Sequence, residues 1–263
     1  MPSLPRRLVP GVADSGASGA GMTLPLLGLG TVAFGRDWGL KYPGSSPGLP
    51  ADRRLDRLLG VAQELGVTLL DTAPAYGSSE ERLGRLLASR RGVFQISTKV
   101  GEASTPRGSR YDFRPAAIRS SVERSLRRLR VETLDLVFLH SSGDDPGALA
   151  GLEALSRLRE EGKLRIAGAS TKTVEGGLAA LERGAALMLS YSSRDRSQLP
   201  VLDRAAGRAA VLIKKPLDSG HGLRESSPAE ALRDAASAAA VLSVLVGTTD
   251  PEHLRANAIA LMR

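Results

Sequence analysis

Four side chains able to move or hold a proton stand at the ends of three apolar runs. Val67-Thr68-Leu69-Leu70 runs straight into Asp71, and the Pro- and Gly-bounded loop behind it carries Tyr76. Val93-Phe94-Gln95-Ile96-Ser97-Thr98 delivers Lys99, and Leu134-Asp135-Leu136-Val137-Phe138-Leu139 delivers His140. A short, nearly continuous apolar run is the signature of a parallel strand covered on both faces, and polar groups gather where it opens into its following loop. In a parallel barrel all such ends lie on one rim, so Asp71, Tyr76, Lys99 and His140 would converge there. Taken alone, Asp71 also reads as a cap for the helix near Glu80, and Tyr76 as an ordinary loop aromatic. The recurrence at two further strand ends favours a site.

The elements that would hold these groups alternate along the chain. Strand-like runs at 26–31, 67–70, 93–99, 134–140, 164–169, 186–191, 210–214 and 243–247 alternate with helix-like runs that begin near 51, 78, 115, 148, 174, 198, 228 and 251. Ser78 or Ser79 is a candidate cap for the second helix. This alternation over 263 residues predicts a single α/β domain, a (β/α)8 TIM barrel over residues 22–263. A doubly wound sheet is the rival, but Leu27-Gly28-Leu29-Gly30-Thr31 lacks the GxGxxG spacing of its first turn. Residues 1–21, rich in Pro, Gly, Ser and Ala, are expected to be flexible or to form at most a short lid against the barrel floor.

Composition removes several function classes. There is no cysteine, and His221 and His253 lack metal-ligand company, so neither disulfides nor a metal site is expected. No apolar run of about 18 residues or N-terminal apolar signal core is seen, which predicts a cytoplasmic protein without membrane contact. The net charge is +8, but the arginines between residues 119 and 130 are mixed with Glu123 and followed by Glu132, as on a solvated helix. Aromatics for base stacking are missing there, which argues against nucleic acid. A basic surface does suit a small anionic ligand, and a phosphate-bearing cofactor qualifies. Of nine aromatics, Phe34, Trp38, Tyr42, Tyr76, Tyr111, Phe113 and Tyr191 fall on predicted strand ends or the loops after strands, which reads as a pocket. Trp38, Tyr111 and Phe113 are the candidate substrate wall.

Five motifs carry a family resemblance: Asp71-Thr72-Ala73-Pro74-Ala75-Tyr76-Gly77, Ser97-Thr98-Lys99-Val100-Gly101, Leu139-His140, Gly168-Ala169-Ser170, and Gly247-Thr248-Thr249-Asp250-Pro251-Glu252-His253-Leu254. In this order and at these intervals the chain, from about 26 to 258, resembles the aldo-keto reductase superfamily. The resemblance implies a catalytic tetrad of Asp71, Tyr76, Lys99 and His140, and reduction of a small-molecule aldehyde or ketone to an alcohol. NADP(H) is expected in preference to NAD(H), in a monomer or weak homodimer. Tyr76 would donate the proton, Lys99 would lower its pKa, Asp71 would hold Lys99 charged, and His140 would donate to the carbonyl oxygen.

The same resemblance assigns cofactor contacts to Gly30, Thr31, Ser170, Lys214, Leu217, Ser219, Gly247, Thr248, Thr249, His253 and Asn257. Here the chain departs from the family pattern. Thr171 stands where asparagine is common, Met188 where glutamine is, Lys214 where an aromatic ring often stacks, and Gly247 and His253 where a basic pair is usual. Two other classes stay open: a class I aldolase-like lyase forming a Schiff base through Lys99 or Lys214, and a non-catalytic NADP(H)-binding redox sensor.

Overall fold

In the computed structural model, which describes residues 3–13, 21–38, 48–218 and 227–262, eight parallel strands close into a ring. The elements in order are β1 (Arg6–Ala13), β2 (Gly21–Pro25), β3 (Leu27–Gly30), α1 (Val32–Gly35), α2 (Asp52–Glu64), β4 (Leu69–Asp71), α3 (Ser79–Leu86), β5 (Gln95–Val100), β6 (Glu102–Thr105), β7 (Gly108–Tyr111) and α4 (Pro115–Leu129). They continue with β8 (Leu134–His140), α5 (Asp145–Leu149), α6 (Leu152–Glu160), β9 (Leu164–Ser170), α7 (Val174–Glu182), β10 (Ala186–Ser190), α8 (Leu199–Ala205), β11 (Val211–Lys214), α9 (Pro228–Ser237), β12 (Val241–Gly247) and α10 (Pro251–Leu261). The ring runs β3-β4-β5-β8-β9-β10-β11-β12 and closes from β12 back to β3. This is the (β/α)8 barrel that the alternation of runs predicts.

Alternation along each strand divides the core. Leu69, Leu136 and Phe138 point into the barrel, while their neighbours Leu70, Val137 and Leu139 pack outward among the helices. The helices answer with apolar stripes, as on α2, where Leu55, Leu58, Leu59 and Ala62 are buried at the i, i+3, i+4, i+7 spacing. Register then aligns the strand ends: Gly30 pairs with Asp71, Asp71 with Ser97, Lys99 with Phe138, His140 with Ser170 and Ser190 with Lys214. The groups singled out in the sequence therefore share one rim.

One expectation is narrowed and two need correction. Within residues 1–21, Arg6–Ala13 is a strand paired antiparallel with β2 rather than a flexible segment, so of the two alternatives it is the lid against the barrel floor that the structure holds. This hairpin plugs the barrel: Val9, Met22 and Leu24 join the interior cluster of Leu69, Leu136, Phe138 and Met188. Arg6 reaches Thr23, Thr68 and Gln95, and Arg7 donates to the carbonyls of Ala236 and Val241, which pins the plug to the strand starts. The stretch after Lys99, read as a loop, contains the antiparallel hairpin β6–β7, whose β7 is exposed throughout. Phe34 and Tyr191, read as pocket aromatics, lie buried in the core outside the barrel wall.

Leu24 is fully buried between plug and barrel. Leu24→Ala should cost about 2–5 kcal/mol of stability through lost burial and the cavity left behind. Chemical denaturation measures this, and an unchanged midpoint would show that the plug is not part of the cooperative core.

Candidate active site

Tyr76 owes its place to a contact between two backbones. Gly35, ending α1, and Gly77, next to Tyr76, meet so closely that a Cβ on either would collide with the other loop's backbone, and Gly77 adopts φ +60°. Ser78 N donates to Gly35 O at 3.1 Å and Tyr76 N to Ala73 O at 3.0 Å, closing the loop. Ser78 occupies the N-cap of α3 without a side-chain cap bond. Ser79 instead joins Thr31 and Thr72: its hydroxyl donates to Thr31 O at 3.0 Å and accepts from Thr72 Oγ1 at 3.0 Å. Thr31 Oγ1 also donates to Asp71 O at 3.0 Å, so this candidate cofactor residue holds the rim together.

Lys99 is 1% exposed and Asp71 5%. Lys99 Nζ donates to Asp71 Oδ1 at 2.8 Å, to Oδ2 at 2.7 Å and to Thr72 O at 3.1 Å, while Ser97 Oγ donates to Asp71 Oδ1 at 2.9 Å. Burial works to lower the Lys99 pKa, but Asp71 and the Tyr76 oxygen outweigh it and raise it, so the ammonium persists. The same Nζ lies 4.8 Å from the Tyr76 ring centroid, and the Arg36 guanidinium 5.8 Å from it. The rings of Tyr76 and His140 meet edge to face, with centroids 6.3 Å apart at 86°. The Tyr76 pKa is raised rather than lowered: burial is the largest influence, Lys99 opposes it and Asp71 adds to it. The sequence suggested the opposite sign, because it shows the neighbouring charge but not the desolvation. Tyr76 is therefore held in its protonated form.

His140 Nδ1 lies 2.6 Å from Glu102 Oε2 on β6, a residue the sequence reading passed over. Its only signal was a carboxylate three positions beyond Lys99. Glu102 Oε1 accepts from Ser109 Oγ at 2.6 Å and Tyr111 OH at 3.3 Å. Burial works to raise the Glu102 pKa, but His140, Ser109 and Tyr111 bring it down to about 2. Burial, with Lys99 and Lys214, lowers the His140 pKa against the pull of Glu102. Tyr111 stacks on Phe113 at 6.4 Å, and Phe113 sits over Gly101, where no Cβ would fit. Trp38 lies over Gly77, its Cη2 3.1 Å from where a Cβ would be, and its Nε1 is buried without a partner among the described residues.

Across the rim, Lys214 Nζ donates to Ser170 Oγ at 2.7 Å. Burial, then Lys99, Lys215 and Lys172, depress the Lys214 pKa to about 7. A cavity of about 150 Å³ opens beside it, lined by Thr171, Lys172, Ser190, Gln198 and Lys215 among others. Thr171 Oγ1 and Gln198 Oε1 are buried there without hydrogen-bond partners among the described residues. Met188 lies in the barrel interior. Leu217 is half-buried beyond β11; Tyr42, Ser219 and His221 lie outside the described residues. Gly247, Thr248 and Thr249 follow one another at the end of β12, with Arg54 Nε on Thr249 O at 2.8 Å. His253 is exposed in the first turn of α10, and Asn257 is buried one turn on. Among the described residues no group of three His, Asp or Glu could hold a metal, and no helix is long and apolar enough to cross a membrane.

Residues 26–186 match the Aldo/keto reductase family. The chain is 30% identical over 178 residues to the uncharacterized oxidoreductase YqkF of Bacillus subtilis, covering 61% of this chain and 58% of that one. It is 30% identical over 220 residues to the NADH-specific methylglyoxal reductase of Escherichia coli, covering 76% and 65%. It thus spans between half and two thirds of the length of these relatives. The crystal structure of PA4992, a candidate aldo-keto reductase of Pseudomonas aeruginosa, superposes with a TM-score of 0.83 at 38% identity over 95% of this chain and 92% of that one.

The depressed pKa of Lys214 has a consequence for stability. Between about 7 and its ordinary 10.5 the unfolded chain binds a proton that the folded chain does not, so this group makes stability rise with pH across that window. Lys214→Met should remove that contribution, and denaturation at pH 7, 8.5 and 10 should show wild type gaining on the variant as pH rises. A constant difference would mean that Lys214 titrates normally in the fold.

Proposed function

Because the chain belongs to the aldo/keto reductase family, we propose that it is an NAD(P)H-dependent oxidoreductase that reduces an aldehyde or ketone to an alcohol, with Tyr76 as proton donor. The observation that carries this reading is the Lys99 ammonium, fixed by both oxygens of Asp71 and lying against the Tyr76 ring. As a carbonyl is reduced, negative charge develops on its oxygen and a proton must arrive there. Tyr76 is protonated, at the rim, and beside the cation that would stabilise the phenolate it leaves. Asp71 keeps that cation in place, and His140 flanks the same space to orient the oxygen. Trp38, Tyr111 and Phe113 supply the aromatic wall that would exclude water.

A nicotinamide cofactor, when bound, supplies the hydride. The rim suits such a group: Thr171 Oγ1 and Gln198 Oε1 are buried polar atoms wanting partners among the described residues, and Lys172 and Lys215 line the same cavity with positive charge for phosphates. Ser170 and Lys214 would hold the cofactor on that side, Gly30, Thr31 and Leu217 would flank it, and Gly247, Thr248, Thr249, His253 and Asn257 would take the adenosine end. Arg54, on the carbonyl of Thr249, offers fixed positive charge at that end and supports NADP(H) over NAD(H).

One observation favours a second reading. A lysine with a pKa near 7 is the kind that forms a Schiff base, and Lys214 has that property whereas Lys99 is locked in its ion pair. Borohydride trapping of Lys214 by a carbonyl substrate, with no NADPH oxidation, would establish the lyase and overturn the reductase. Under the reductase reading, Tyr76→Phe should lose on the order of 10²–10⁴ in carbonyl-reduction rate while NADPH still quenches protein fluorescence with unchanged affinity. Full activity in this variant would remove Tyr76 from its role.

A further inference from the structure

His140 and Glu102 face each other in a way that a carbonyl-orienting histidine does not require. Nδ1 is buried and lies 2.6 Å from Glu102 Oε2, a close ion-pair approach without hydrogen-bond alignment, and has no hydrogen-bond partner among the described residues. At that separation two lone pairs would repel, so one of the two groups must carry a proton. Imidazole is the stronger base, with an ordinary pKa of about 6.5 against about 4.3 for glutamate, so the proton belongs to Nδ1. A neutral imidazole carries one N–H, which leaves Nε2 with a lone pair and nothing to donate.

The carboxylate is aimed rather than incidental. Ser109 Oγ and Tyr111 OH both donate to Oε1, which leaves Oε2 for the histidine. Glu102 pairs with Tyr111 across the β6–β7 hairpin, so the hairpin itself sets the carboxylate's direction. The other charged groups around the ring are Lys99 on β5 and Lys214 on β11, which disfavour a second proton, while Glu102 favours one. Tyr76 meets the ring edge on as a neutral phenol.

We propose that Glu102 is the positioning residue of His140: it fixes the ring proton on Nδ1, so that Nε2 donates to a substrate carbonyl only when the imidazole takes up a second proton. The inference rests on the oxidoreductase reading for its kinetic consequence but not for its structural one. Carbonyl reduction would then follow the imidazolium, falling by about tenfold per pH unit above the His140 titration. A neutral Nε2–H donor would give no such fall.

Glu102→Gln makes the idea sharply testable. Ser109 and Tyr111 need an acceptor, so the new amide should turn its carbonyl oxygen toward them and its NH₂ toward Nδ1. Nδ1 must then accept, and the proton moves to Nε2. Long-range ¹H–¹⁵N correlation on the full chain with ¹⁵N-histidine reads the tautomer directly, with exposed His253 as internal control. Wild type should show neutral His140 protonated on Nδ1, the Gln variant should show it on Nε2, and Glu102→Asp should restore Nδ1. The alkaline fall in kcat/KM for NADPH-dependent aldehyde reduction should flatten in the Gln variant and return in Asp. A wild-type His140 protonated on Nε2 overturns the proposal without recourse to any variant, as does an unchanged tautomer in folded Glu102→Gln. Absence of turnover with every carbonyl tried would overturn the oxidoreductase reading, while the tautomer would still decide the role of Glu102.

Discussion

A lysine ammonium survives almost fully buried in this barrel because Asp71 receives it with both oxygens and Thr72 offers a carbonyl as well. Burying either charge alone would be prohibitive, and removing one partner of such a pair typically costs about 3–5 kcal/mol, since the other is left uncompensated. Two adjacent strands must therefore hold their ends in register to within a fraction of an ångström. The pairing of Asp71 with Ser97, two residues before Lys99, does this, and Ser97 adds its own hydrogen bond to the carboxylate. The pair fixes a positive charge under the Tyr76 ring, and the other groups on the rim respond to it.

That charge has costs elsewhere. Lys214, across the rim, loses much of its basicity to burial and to the like charges of Lys99, Lys215 and Lys172. His140 is pushed toward its neutral form by burial and by the like charges of Lys99 and Lys214. Glu102 is the counterweight on the histidine, and it works because the β6–β7 hairpin occupies its other oxygen. The rim is a set of mutually dependent protonation states rather than four independent side chains.

Support for these states comes from places without chemistry of their own. The Gly35 and Gly77 backbones touch, which brings α1 against the Tyr76 loop and leaves Trp38 room to cover it. The Ser79 hydroxyl ties Thr31 to Thr72 and so links the ends of β3 and β4. At the far end, the β1–β2 plug closes the barrel with Val9, Met22 and Leu24, so that interior side chains beneath the rim are packed on every side. Rigidity at the rim depends on that closure, because close-packed interiors transmit displacement.

The sequence alone determined the barrel and the convergence of Asp71, Tyr76, Lys99 and His140. Both follow from local features: the period of apolar residues sets each strand, and a polar residue after an apolar run can only emerge at its end. The alternation of strand and helix did the rest, since a right-handed βα repeat of this length closes on itself. Tertiary structure decided what depends on long-range contact. The plug at Arg6–Ala13 has the composition of a loose tail, and only the barrel interior gives its few apolar residues something to cover. Hairpin β6–β7 is polar and short, and its pairing shows only when Glu102 meets Tyr111. Phe34, in the loop after a strand in sequence, and Tyr191, at a strand end, turn into the outer core, because position along the chain does not say which way a ring points. The sign of the Tyr76 shift belongs here too: a sequence shows that a lysine is near, whereas the desolvation that outweighs it exists only once the chain has closed around both.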